Sequence, residues 1–154
     1  MIRFDLKRIL KIFVPAGLGI LSGVGGYTFF YANGTSYFLD DPRACNNCHV
    51  MRDQYDGWNR SSHHGAATCN DCHTPHDLVG KYATKAINGW NHSAAFTTGR
   101  FDEPIRIHDF NAKIARDNCV RCHGEMVSRM RTYAHPEAVD CVHCHGNVGH
   151  NDRY

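Results

Sequence analysis

Four copies of Cys-x-x-Cys-His constrain what this chain can fold into: Cys45-Asn46-Asn47-Cys48-His49, Cys69-Asn70-Asp71-Cys72-His73, Cys119-Val120-Arg121-Cys122-His123 and Cys141-Val142-His143-Cys144-His145. Together they use all eight cysteines, so no thiol is left for a disulfide. Two thiols three positions apart reach the two vinyl groups of one haem, and the adjoining imidazole is then carried beneath the iron as an axial ligand. Zinc is the competing chemistry, because two CxxC pairs can supply four thiolates to a tetrahedral ion. Zinc gives no reason for a histidine after every second cysteine, and the motifs therefore read as attachment sites for four covalently bound haems c.

A chain of 154 residues that carries four porphyrins cannot build an ordinary core of its own. The porphyrin faces must supply much of the buried apolar surface, which predicts a mainly α architecture with long ligand-bearing loops and almost no sheet. Without haem such a chain should be largely unfolded.

No charged residue occurs between Ile12 and Leu39, and residues 12–32 alone give a helix of about 31 Å, enough for a bilayer core. A cleaved signal peptide is the other reading, but the apolar run is long and Phe30-Tyr31-Ala32 lacks the small-x-small pattern. The expected organisation is a basic cytoplasmic N-terminus over 1–11, a transmembrane anchor over 12–32 and a periplasmic tetrahaem domain over 33–154. Arg3, Lys7, Arg8 and Lys11 hold the N-terminus in the cytoplasm, which puts the motifs on the side where bacteria attach c-type haem. The protein is thus expected in the bacterial inner membrane as a single-pass chain.

The formal charge of +2 reflects those four residues, since from Asp40 onward 13 basic side chains face 14 acidic ones. Nothing resembles a nucleic-acid stripe. Gly19 and Gly23 form a GxxxG pair in the anchor, a feature compatible with self-association. Phe29, Phe30, Tyr31, Tyr37 and Phe38 read as an interfacial aromatic belt that would bring the first haem close to the headgroups.

The motif starts are 24, 50 and 22 residues apart, and the long central gap holds an amphipathic helix over Leu78 to His92. Leu78, Val79, Tyr82, Ala83, Ala86, Ile87 and Trp90 fall on one side of it, with Lys81, Lys85, Asn88 and His92 on the other. Such a helix suits either a membrane surface or packing on haem with its charged side solvated. Phe101 to Asp117 reads as a loop followed by a short helix into the third motif. Beyond the four motif imidazoles stand His63, His64, His76, His92, His108, His135, His143 and His150, more than the four irons need as sixth ligands. Met51, two residues after His49, is close enough to compete for the first iron, and thioether ligation would raise its potential.

The anchor, the four motifs, the CxxCH-x-Met of the first and Lys-Ala-Ile-Asn-Gly-Trp-Asn-His in the central helix resemble the NapC/NirT family of membrane-bound tetrahaem quinol dehydrogenases. The resemblance implies that Met51 ligates the first haem instead of His49, and that Lys85 lines a quinol pocket beside it. His92, where some members carry an acidic residue, would bind that iron, accept a quinol proton, or both. By the same likeness His73 and His150 would ligate the second haem, and His123 would pair with His63 or His64 on the third. His145 would hold the fourth, completed by a lysine of the partner or by His135. The implied activity is menaquinol oxidation, with electrons passed to a periplasmic multihaem nitrite reductase catalytic subunit and no nitrite chemistry on this chain. A wire without its own quinol site, or a donor to a different periplasmic reductase, are the alternatives.

Overall fold

The structure, a computed structural model, describes residues 6–133 and 140–150, with side chains described to 129 and from 140. Every regular element among them is helical. The chain divides into two compact units, residues 1–36 and 37–154.

The first unit is dominated by α1, Leu6–Tyr31, which is long and apolar enough to cross a membrane and buries none of its side chains. It starts six residues earlier than the apolar run, because Lys7, Arg8 and Lys11 continue its helical register. Pro15 sits inside it, a substitution that apolar helices tolerate. A 3₁₀ turn over Gly34–Phe38 leads out of it.

The second unit is a series of short motif-bearing helices around two long ones. Asp41 caps α2 (Pro42–Cys45), its carboxylate accepting from Arg43 N at 2.9 Å, and Pro42 at the first helical position starts the turn that carries Cys45. Cys48 precedes a 3₁₀ turn over His49–Met51 that runs into α3 (Arg52–Asn59). The second motif is itself α4 (Cys69–His73), where Asp71 reaches back to accept from Thr68 N at 2.8 Å. Asp77 caps α5 (Leu78–Thr98) by accepting from Gly80 N at 2.7 Å, and Gly99 at φ 66° ends it in the left-handed conformation that glycine adopts without strain. Thus α5 runs six residues beyond the expected His92, to Thr98.

The expected loop before the third motif is present over 101–108 and leads into a helix as expected, but that helix, α6 (Asp109–Tyr133), is 25 residues long and runs on through Cys119, Cys122 and His123. It breaks its helical geometry at His123 (φ −107°, ψ 15°), where the third motif histidine stands. The fourth motif is α7 (Cys141–Cys144).

No hydrophobic side chain of the described residues is buried. The side chains that are buried are polar, Thr74, Thr84, Lys85 and Asn118 among them. On the polar side of α5, Thr84 and Lys85 are buried by protein while His92 stays exposed, and the apolar side chains Leu78, Val79 and Trp90 are free to meet haem or a membrane surface. Asn88 pairs with Asn111 through two amide hydrogen bonds of 3.0 and 3.1 Å.

Candidate haem chain and quinol-side cluster

The motif helices touch in sequence order, α2 against α4, α4 against α6 and α6 against α7. In each helical motif the two thiols are three residues apart and so lie on one side of a turn. Cys45 and Cys69 hydrogen-bond each other, which lowers the Cys45 thiol to about 7 and, with burial, raises Cys69. Burial and the neighbouring Cys119 raise the Cys72 thiol, and burial and the neighbouring Cys141 raise Cys119. In each pair a thiol of one motif stands by a thiol of the next. Asn118, buried beside Cys119, locks the second step by donating to Cys72 O at 3.0 Å and Thr74 O at 2.9 Å.

The imidazoles supply a test of fit. A metal–imidazole bond of about 2.0–2.1 Å, with the ring centre roughly 1.1 Å behind the nitrogen, sets two axial rings about 6.3 Å apart across a metal. His73 and His150 have ring centres 6.1 Å apart with planes at 10°, and His63 and His123 have centres 6.0 Å apart at 74°. Both pairs have room for an iron between them. No group of three or more His, Cys, Asp or Glu side chains that could hold a metal ion occurs among the described residues. None of the eight cysteines is in a disulfide, so all eight can serve thioether attachment.

Of the two histidines that the sequence left open, His63 is the one brought to His123. Its backbone N–H donates to Ser61 Oγ and its Nδ1 lies 3.2 Å from Ser62 Oγ. His64 instead packs on Trp58, ring centres 4.7 Å apart, and Trp58 Nε1 donates to Ala67 O. His49 lies edge-on to Phe96 at 6.2 Å, and Met51 ends the turn that begins at His49. His145 terminates α7 with its N–H on Cys141 O. His135 lies outside the described residues.

Lys85 and His92 both belong to the cluster beside the first motif. Lys85 is only 8% exposed, and its Nζ donates to Leu39 O at 2.7 Å and Asp40 Oδ1 at 3.2 Å. Its ammonium also stands 5.9 Å over the Tyr82 ring. His92 Nδ1 is 2.8 Å from Tyr37 Oη. Burial and then the charge of His108 lower the His92 pKa, which keeps its ring neutral near pH 7. Tyr37 is raised to about 12, first by burial and then by Cys48 and Cys45, so its hydroxyl stays protonated.

Sequence reasoning missed Tyr37 and Asp40. Tyr37 reads as one more aromatic of the belt, yet its ring lies across Gly89, where a Cβ would come within 3.4 Å of Cε1. A glycine one turn after Lys85 and three residues before His92 was the available signal. Asp40 collects Lys81 at 2.5 Å, Lys85 and Asn70 Nδ2 at 2.8 Å.

One membrane-length helix, successive CxxCH segments and two imidazole pairs with centres about 6 Å apart, on a framework whose described elements are all helical, define a membrane cytochrome of the c type. The comparisons with known proteins agree. Residues 7–153 match the model of the NapC/NirT cytochrome c family, N-terminal region, and the chain belongs to that family. It is 38% identical to the cytochrome c-type protein NrfH of Wolinella succinogenes, over 91% of this chain and 87% of that one. It is 29% identical to the cytochrome c nitrite reductase subunit NrfH of Nitratidesulfovibrio vulgaris, over 73% and 69%. A chain in the crystal structure of the cytochrome c nitrite reductase NrfHA complex bound to the HQNO inhibitor superposes with a TM-score of 0.64, at 27% identity and 92% coverage of both.

Proposed function

We propose that this chain is the membrane-anchored electron-donating subunit of a cytochrome c nitrite reductase, oxidising menaquinol and passing electrons through four haems c to a periplasmic multihaem catalytic subunit. Residues 12–32 span the inner membrane, 1–11 stay in the cytoplasm and 33–154 form the periplasmic haem domain. The relatives named for nitrite reductase, and the NrfHA complex among them, support the partner.

The observation that carries the quinol half is the cluster on α5 beside Cys45 and Cys48: a buried lysine ammonium one turn before Gly89 and an exposed, tyrosine-paired histidine one turn after it. Haem, when bound, accepts single electrons and no protons, whereas a quinol must lose two of each. The chain must therefore take the protons. Lys85 donates a hydrogen bond to one quinol oxygen and fixes it. His92, neutral and donating its Nδ1–H to Tyr37 Oη, has an unprotonated Nε2 to serve as the base. Met51 and His92 would hold the first iron, His73 with His150 and His63 with His123 the second and third, and His145 the fourth. The outward apolar stripe of α5 suits a lipid surface, from which a hydrophobic donor would come.

The test is haem reduction of the purified holo-protein by a soluble menaquinol analogue, with dithionite to count total haem. Lys85→Ala and His92→Ala should each slow quinol-driven reduction at least tenfold with unchanged haem content. Rapid reduction by quinol in both variants would leave a wire with no quinol site.

A further inference from the structure

Lys85 carries its charge into a site that is almost closed to water, and such a burial has to be compensated locally. The compensation comes from one short segment, Leu39-Asp40, five residues before the first haem motif. Leu39 O and Asp40 Oδ1 together accept two of the three ammonium protons, which leaves one N–H to point elsewhere. The same two acceptors also take Asn70 Nδ2, at 3.2 and 2.8 Å, and Asn70 lies between the cysteines of the second motif. Asp40 Oδ2 is held by Lys81, one turn before Lys85. The carboxylate is thus fixed on both oxygens by three side chains from two helices, α4 and α5, while its own side chain remains 55% exposed. It faces Lys81 and Lys85 from α5, and it lines a small cavity of about 170 Å³ with Asp71 and His76.

We infer that Asp40 is a positioning residue for quinol oxidation: it holds the Lys85 ammonium aimed, so that its remaining N–H meets the quinol oxygen. This rests on the quinol role given to Lys85 above. A carboxylate fixed by Lys81 and Asn70 constrains Lys85 to one rotamer, so the lysine need not be ordered when the donor arrives. Asn at position 40 would keep one acceptor but lose the charge and the second anionic oxygen. Glu would keep the charge on a longer arm.

The experiment uses the full-length holo-protein and the menaquinol analogue, measuring kcat and KM of haem reduction for Asp40→Asn, Asp40→Glu, Lys85→Ala and the double variant Asp40→Asn/Lys85→Ala. The expected result is a loss of about tenfold in kcat/KM for Asp40→Asn, recovery to within about threefold by Asp40→Glu, and a double variant no slower than Lys85→Ala alone, since a residue that acts through another adds nothing once that other is gone. Dithionite-reducible haem stays constant throughout. Wild-type behaviour of Asp40→Asn beside a crippled Lys85→Ala would overturn the inference and leave the quinol site standing. So would additive losses in the double variant, or an Asp40→Asn defect that tracks lost haem. Normal turnover by Lys85→Ala would instead remove the quinol reading itself, and this inference with it.

Discussion

Removing the His63 imidazole tests the haem chain where the structure is most specific. With four CxxCH motifs, His63→Ala should convert one haem in four from six-coordinate low-spin to a form with an open axial position, a quarter of the total. His64→Ala should convert none, because its ring is engaged with Trp58 at 4.7 Å while His63 faces His123 at 6.0 Å. The ring angles sharpen the expectation. Two imidazoles at 74° donate into different iron d orbitals and leave those orbitals nearly degenerate, which gives a highly anisotropic low-spin EPR signal; rings at 10° split the orbitals and give an ordinary rhombic one. His63→Ala should therefore remove the anisotropic signal, and His150→Ala the rhombic signal, each with new high-spin intensity that added imidazole reverses. Low-spin haem intact in His63→Ala and depleted by a quarter in His64→Ala would refute the pairing.

Three further outcomes follow from the same geometry. Tyr37→Phe deletes one neutral hydrogen bond to His92, worth about 1 kcal/mol, and should slow quinol-driven reduction roughly fivefold without changing haem content; Gly89→Val, which pushes the Tyr37 ring away, should do the same, and full activity in both would exclude a role for the contact. Protein made without haem attachment should keep the helicity of α1 but lose protease resistance from Tyr37 onward, since among the described residues there no hydrophobic side chain is buried by protein alone; a protected haem-free domain would contradict this. Asp40 is held below the usual carboxylate range, first by the Lys81 hydrogen bond, against burial and with help from Lys85. Its folded pKa is below its unfolded one, so its stabilising effect is complete above about pH 4 and is lost only as pH falls through the folded value. Between pH 5 and 8 the stability difference between Asp40→Asn and wild type should be flat, and a difference that changes sharply near neutrality would show that another group governs the clamp.

What the sequence alone decides is whatever is covalent or local. Haem attachment is readable because the thiols and the imidazole sit within five consecutive residues, and the anchor because bilayer thickness translates directly into helix length. The same holds for the start of α5 at Asp77 and for Lys85 and His92 on one side of it. Tertiary structure decides the rest. His63 and His64 are adjacent in sequence, and only the approach of His123, some 60 residues away, distinguishes them. Tyr37 and His92 are 55 positions apart, and Asp40 and Lys85 are 45 apart, so neither partnership leaves a periodic trace. The burial of Lys85 could not be read either, because hydrophobic pattern assigns the buried face by contrast with water, whereas here a charge is buried where the Asp40 carboxylate waits for it.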